Sequence, residues 1–518
     1  MIKLNIRKEH NTMNQSYWIL STKSINYEKL KENISTKVLI VGAGIVGTTS
    51  AYLLAKQGIE VVIVDADKVG YGSSGRNTGK LTTQHDIKYL EIYKKYGLEA
   101  SKLYYEGNNK ALNLVKTIIK ENNIDCKFEE LPSYIYTQNE NYIQILKDEY
   151  EICKKIGIDC DYCNRLNLPL CIKGSIKFNN QGQFNPKQYI DSLMDKCIEL
   201  GVKVYENTPI VDIETGDICN VKTRDNIEIK ADNVIIASHF PWYDGLNFYF
   251  AKEKADRSYL LGATLNKEFE KGMFISIEEP TKTFRTYEGE GKKLLIIGGN
   301  DHKVGQGDHE AEIFEDLKNY ASKTFGVNDF KYKWSAQDYM SFDNMPYIGH
   351  INKKEENIYV ATGFSKWGIT NGTLSAIVIN DLMTRNTSKY ENIFNPSRKG
   401  SYLTTDFIKE NLNVGLNYIS GKLKFASEKM PKEKGEGKLV DIDGQKYGAY
   451  RHYNNELFIV DVTCTHLGCE LKFNSAEKTW DCPCHGSRFD YNGDILEGPA
   501  VRPLNRYGRY KNKIDPKL

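Results

Sequence analysis

The sequence predicts an α/β chain of more than one domain. A dinucleotide-binding βαβ unit opens it, an α+β part fills the middle and a small all-β domain ends it. Three observations predict this. The apolar run Lys37–Val41 leads directly into Gly42-Ala-Gly44-Ile45-Val46-Gly47, then a helical stretch, then Val61–Val64 ending at Asp65. Near the other end stand two boxes, Cys464-Thr-His466-Leu-Gly-Cys469 and Cys482-Pro-Cys484-His485-Gly-Ser487. The length of 518 residues exceeds one ordinary core.

In chain order, residues 1–35 read as an N-terminal extension, and Met13 is an alternative start. The basic beginning has no apolar core or cleavage site of a leader, and no run approaches the ~18 apolar residues of a membrane span. A cytoplasmic protein is expected. Lys+Arg (70) balances Asp+Glu (68), which gives no electrostatic case for nucleic acid. Of eleven Cys, seven are scattered through the middle without a disulfide framework and are expected as free thiols. Two of these, Cys160 and Cys163, form a CxxC that could bind metal or cycle redox state.

The glycine box sits in the strand–turn–helix context that gives it meaning. Gly42 makes the tight turn, Gly44 admits a pyrophosphate close to the backbone and Gly47 packs helix on strand. The helix N-terminus stabilises phosphate charge, and Asp65 is placed for ribose hydroxyls. Beyond it, Gly70-Tyr-Gly-Ser73-Ser74-Gly-Arg76-Asn77-Thr-Gly-Lys-Leu-Thr resembles the segment that wraps FAD in the D-amino-acid oxidase (DAO-type) superfamily. Thr362-Gly363-Phe364-Ser-Lys366-Trp367-Gly368-Ile369-Thr370, between a strand and a helix, resembles the second flavin fingerprint of that superfamily.

The resemblance covers roughly residues 36–395. It implies a Rossmann-like, glutathione-reductase-type FAD domain (about 36–86, 185–240 and 335–385) and a substrate domain (about 87–184 and 241–334). FAD would be held non-covalently by Gly42, Gly44, Ile45, Val46, Gly47, Asp65, Ala66, Ser73, Ser74, Arg76, Asn77, Ile210, Gly363, Phe364, Gly368, Ile369 and Thr370. The last helix would aim its positive end at the flavin. A second strand–GxGxxG–helix is not found, so a separate NAD(P)H domain is not expected.

In the C-terminal boxes, soft thiolates and neutral imidazoles suit either a zinc ion or an iron–sulfur cluster by residue type. The box pattern resembles that of Rieske [2Fe–2S] proteins. By that resemblance Cys464 and Cys482 bind one iron and His466 and His485 the other. Cys469 and Cys484 match the disulfide pair, Ser487 a hydroxyl near the bridging sulfide, and Gly498-Pro499-Ala500 the covering loop. Phe489 stands where the family pattern carries a Tyr donor, which implies a potential below that of the respiratory type. Residues 396–432 are expected as a connecting helix and linker, with Phe407, Leu412, Val414, Leu416, Ile419 and Leu423 as apolar positions. Residues 433–518 would be the Rieske domain.

For catalysis, Arg285 is a candidate cation for a substrate carboxylate, and Lys366 and Trp367 could flank the flavin. His302 is expected on a solvated turn, and His85 is the residue considered for a covalent flavin link. The resulting expectation is an FAD-dependent dehydrogenase. It oxidises a small amine or amino acid and hands electrons singly through the cluster to an unidentified acceptor. The alternatives are an oxidase using O₂ with a structural or sensory Rieske domain, and an adaptor in which the cluster feeds the flavin.

Overall fold

The structure is a computed structural model that describes residues 15–510 apart from 24, 290, 308–309, 399–403, 424–425 and 428. Met13 lies outside the described residues. Strand β1 (Ile34–Val41) and β2 (Val61–Val64) are parallel neighbours at the centre of the first sheet, with helix α1 (Ile45–Ala55) crossing between them. Valine and isoleucine dominate both strands because both faces of a parallel sheet are covered. Glu228–Ile236 continues the parallel array beyond β1, Ile358–Thr362 pairs beyond it, and Lys203–Tyr205 pairs with β2. Helix α2 (Gly368–Arg385) packs against α1. The backbones approach closely there, since a Cβ at Gly372 would lie 2.7 Å from Ile45 Cγ2.

A second sheet carries four long strands: β3 (Glu253–Thr264), β4 (Lys282–Gly289), β5 (Lys292–Lys303) and β6 (Phe330–Ser341). Their spatial order is β6-β3-β5-β4, all antiparallel, continued by Met273–Ser276, Ser133–Thr137, Gly174–Phe178 and Cys160–Cys163. Cys160 and Cys163 cannot share a metal. Residues three apart on a strand face opposite sides, and the buried Cys160 thiol is hydrogen-bonded to Cys153 instead. Gly298-Gly299 lies inside β5 and His302 near its end, so His302 is on a strand rather than a turn. Its imidazole bonds the Tyr259 hydroxyl at 2.9 Å.

Helix α3 (Thr405–Leu423) straps the two halves together. Asn411 donates to the Ala251 carbonyl at 3.0 Å, and Val414 packs with the C-terminal core. The expected apolar set does not all face inward. Leu412, Leu416 and Ile419 are 63%, 68% and 59% exposed, because the helix lies in the seam and contacts its neighbours on one narrow face. No helix among the described residues is long and apolar enough to cross a membrane.

The C-terminal domain consists of two four-stranded antiparallel sheets. It is seated on β3 and β6 by a buried ion cluster. Arg257 of β3 holds Glu477 at 2.5 Å and Glu497 at 3.0 Å, and Arg488 holds Glu477 at 2.8 Å and Asp481 at 3.0 Å. Despite burial, Arg257 and Arg488 hold the Glu477 carboxyl far below the usual range. A paired cluster of this kind stands only while all its charges are present. Replacing Arg257 by Met leaves Arg488 alone to compensate the buried Glu477 and takes the cross-seam cation from Glu497, and the expected loss is roughly 3–5 kcal/mol. Chemical denaturation followed by intrinsic fluorescence reads this as a lower midpoint.

Candidate flavin cavity and iron–sulfur centre

One long cavity runs from the β1–α1 turn to the N-terminus of α2. Gly42, Gly44, Ile45, Val46, Asp65, Ala66, Ser73, Ser74, Arg76, Asn77, Ile210, Phe364, Lys366, Gly368, Ile369 and Thr370 line it. The turn has the shape that glycine permits. Gly42 has φ +111°, and a Cβ at Gly47 would fall 1.9 Å from the Gly42 carbonyl oxygen. Gly47 and Gly363 therefore shape the wall without lining it. Asp65 accepts from the Ala43 and Asp67 amides, each at 2.8 Å, which ties the turn to the end of β2. Burial pushes its carboxyl up to about 6.

The 73–79 segment is held from several sides. Asn77 donates to the Ser74 carbonyl at 2.7 Å, Trp334 donates to the Arg76 carbonyl and Trp18 to the Asn77 carbonyl, both at 2.7 Å. Arg76 Nε is buried at the wall with no hydrogen-bond partner. Arg76 Nη1 lies 3.8 Å from Glu497 Oε1, and the unpaired Nε, on the same cavity as a helix N-terminus and a glycine turn, suits a dinucleotide pyrophosphate. The residues present therefore fit FAD.

Arg285 is corrected. It lies outside the cavity lining and is fully buried. It donates to the Thr78 and Phe184 carbonyls and, at 2.9 Å, to Gln183 Oε1, stacked on Trp18 and Tyr287. It pins two chain segments from a fully buried position outside the cavity, which removes it as a substrate anchor. His85 is also internal. Nδ1 meets the Tyr104 hydroxyl at 2.8 Å, Nε2 meets the Thr82 carbonyl and the Thr370 hydroxyl, and the ring stacks on Trp367. Burial lowers it to about 3, so it stays neutral.

Lys366 does line the cavity. It sits at φ +73°, directly after Ser365 at +51°, in a left-handed pair of non-glycine residues. Strain of this kind collects at functional sites. Its ammonium is bound to Asp301 at 2.6 Å; against burial, Asp301, Asp256 and Asp86 keep it charged. Lys80 was not singled out from the sequence, where a lone Lys in a polar loop carries no signal. Lys80 is buried and lines the cavity, and its Nζ donates to the Phe274 carbonyl at 2.9 Å and to the Thr283 hydroxyl. Burial and then the Arg285 charge lower it to about 7.

The two Cys/His boxes form facing loops. Each closes on its own backbone: Gly468 N donates to Cys464 O at 2.9 Å, and Gly486 N to Cys482 O at 3.1 Å. Both glycines have positive φ. A disulfide between Cys469 and Cys484 joins the loops. The sulfurs of Cys469, Cys482 and Cys484 lie within 4.8 Å of one another, but the disulfide removes two of them as ligands. The remaining thiols, Cys464 and Cys482, are hydrogen-bonded to each other. His466 and His485 cross perpendicularly with ring centroids 5.2 Å apart. Burial keeps both neutral, and both Nδ1 atoms are buried without a partner. Two adjacent thiols and two orphaned imidazole nitrogens fit a Cys₂His₂ [2Fe–2S] cluster. Ser487 Oγ accepts from Ala500 N at 3.0 Å, and Phe489 is buried beneath the loops, offering no hydroxyl.

The cluster loops are pressed against the flavin half. A Cβ at Gly486 would lie 2.3 Å from Ala255 Cβ, and Gln306 donates to the Pro483 carbonyl at 3.1 Å. Residues 495–501 and the side chains of Arg257, Glu477 and Arg488 complete the wall of the flavin cavity. None of these interface charges was marked in the sequence, because their spacing has no pattern.

A dinucleotide cavity under a mixed sheet, walled by an iron–sulfur domain, defines a two-cofactor flavoprotein oxidoreductase. The family model "FAD dependent oxidoreductase" matches residues 37–382 and that of the "Rieske [2Fe-2S] domain" residues 423–508. The chain belongs to the DAO-type FAD-dependent oxidoreductase family and carries a C-terminal Rieske domain; its cofactors are FAD and a [2Fe–2S] cluster. It is 40% identical to the "Putative Rieske 2Fe-2S iron-sulfur protein YhfW" of Bacillus subtilis (strain 168) over 496 residues, 95% of this chain and 97% of that one. It is 23% identical to gamma-glutamylputrescine oxidoreductase of Escherichia coli (strain K12), across 73% of this chain and 90% of that one. Among solved structures, L-proline dehydrogenase from P. horikoshii shares the fold, with a TM-score of 0.60 and 19% identity over 71% of this chain and 98% of that one.

Two substitutions separate the sites. His485→Ala is expected to lose cluster iron and its EPR signal while retaining FAD, as read by metal analysis and flavin absorbance. Arg76→Met is expected to weaken FAD binding by about 1.5–3 kcal/mol with iron content unchanged, as read by titrating FAD into apoprotein.

Proposed function

We propose that this protein is a dehydrogenase. It oxidises a small amine or amino acid at FAD and delivers the electrons, one at a time, through the Rieske cluster to a one-electron acceptor. The observation that carries this reading is the shared wall: residues 495–501 of the cluster domain line the flavin cavity. In such a site FAD supplies hydride acceptance and the cluster supplies single-electron transfer.

The protein's own residues supply charge and proton handling. With Arg285 committed to Thr78, Gln183 and Phe184 and the charged Lys366 paired with Asp301, the carboxylates around Lys366 favour a cationic amine over a free carboxylate. A relative named for an amine, gamma-glutamylputrescine, supports the same class. Hydride transfer needs a neutral amine, so a base must take its proton. Lys80 Nζ suits this role. As a neutral amine it has two N–H bonds, both engaged by Phe274 O and Thr283 Oγ1, and one lone pair.

Anaerobic mixing with a panel of amines and amino acids, read by flavin absorbance and cluster EPR together, tests the reading. Flavin bleaching followed by cluster reduction supports it, and a cluster that stays oxidised beside reduced flavin refutes it. Lys80 acts when deprotonated. The rate of flavin reduction should therefore rise with pH through about 7 and lose that limb in Lys80→Met.

A further inference from the structure

We propose that Gln337 and Tyr339 form a fixed hydrogen-bonded bridge through which an electron passes between the flavin cavity and the cluster. This rests on the dehydrogenase reading above and adds the route.

Side chains alternate along a strand, so Ser335, Gln337 and Tyr339 of β6 share one face. All three are buried, and each donates to a group of the Rieske domain. Ser335 Oγ donates to Glu477. Gln337 Nε2 donates at 2.9 Å to the carbonyl of Gly486, the residue after His485. Tyr339 Oη donates at 2.9 Å to the carbonyl of Gly498, the residue before Pro499. Gln337 Nε2 also donates to Tyr339 Oη at 3.0 Å, which links the last two into one network.

The other end of that network is the flavin wall. Tyr339 itself lines the cavity, and so does Ser73, whose hydroxyl donates to the Gln337 carbonyl at 2.7 Å. The route therefore runs from the cavity wall through Tyr339 Oη and Gln337 Nε2 to Gly486 O and the adjoining His485. Burial raises the Tyr339 phenol well above its ordinary value, so the hydroxyl keeps its proton and remains a donor.

Each event moves one electron. The reduced flavin loses one, and the cluster goes from two ferric irons to one ferric and one ferrous; no bond in the bridge forms or breaks. The second electron follows once the cluster has passed the first to its one-electron acceptor. The buried ion cluster holds the two domains in one arrangement, so this bridge operates without domain movement.

Flash photolysis of deazaflavin with EDTA as electron donor delivers one electron to the bound flavin of the anaerobic holoprotein without a substrate. Absorbance then times the electron's arrival at the cluster, and rapid-freeze EPR verifies it. Tyr339→Phe, which removes one oxygen, is expected to slow transfer. Gln337→Leu combined with Tyr339→Phe is expected to slow it more than either change alone, with flavin content and iron content unchanged. Ser335→Ala removes a docking bond on the same face and should leave the rate as it was. Transfer at the unmodified rate in the double variant overturns the bridge alone. Equal slowing by Ser335→Ala also overturns it, since docking would then be the whole effect. If no electron reaches the cluster from reduced flavin in the unmodified protein, the dehydrogenase reading itself fails.

Discussion

The ion cluster between β3 and the C-terminal domain is the constraint on which the rest of the structure depends. Two arginines and three carboxylates are buried together, and each finds its compensation across or beside the domain seam. Desolvating such groups is costly, and only the completed set offsets the cost. The arrangement therefore contributes more to specifying one docked geometry than to net stability. Arg257 supplies the flavin half's charge at the centre, with Arg76 3.8 Å from Glu497 at its edge, and Glu477 receives both Arg257 and Arg488. Sliding the domain by one strand residue would break both Arg257 pairings at once, while Arg488 would keep Glu477 and Asp481. From that fixed seat follow the contact of Gly486 with Ala255, the hold of Gln306 on Pro483, and the extension of the flavin cavity's wall by residues 495–501.

The two cofactor sites follow different local logic. The flavin turn depends on absent side chains: Gly42 and Gly47 bring backbone against backbone, and Asp65 ties the turn to the strand that follows. The cluster loops depend on side chains held apart from everything else. Two thiols are kept buried against each other and two imidazole nitrogens buried and uncommitted, while a disulfide and two left-handed glycines fix the loops around them. An uncommitted buried nitrogen is unfavourable in an empty protein, so the native arrangement makes sense only with a ligand there.

Features governed by local chemistry were legible in the sequence. The glycine turn needs its strand and helix, and the cluster boxes need their ligand types, so both sites could be found by reading along the chain. What could not be read depends on what lies across a sheet or a seam. Arg285 looks like any strand arginine until Thr78, Gln183 and Phe184 are found around it. Lys80 has no pattern to mark it, and its perturbed character comes from burial and from Arg285, far away in sequence. The CxxC at Cys160 and Cys163 fails because strand geometry turns the two thiols apart. The α3 stripe fails in the opposite sense. Its spacing is that of a core helix, yet Leu412, Leu416 and Ile419 face outward because the helix has neighbours on one side only.

The shared wall also bears on how the holoprotein is assembled. A chain made from its N-terminus completes the dinucleotide turn long before the segment 495–501 exists. Until that segment docks, the cavity lacks one side and lies open. Docking of that segment supplies the missing side, so the cluster domain is part of the flavin's enclosure as well as its neighbour.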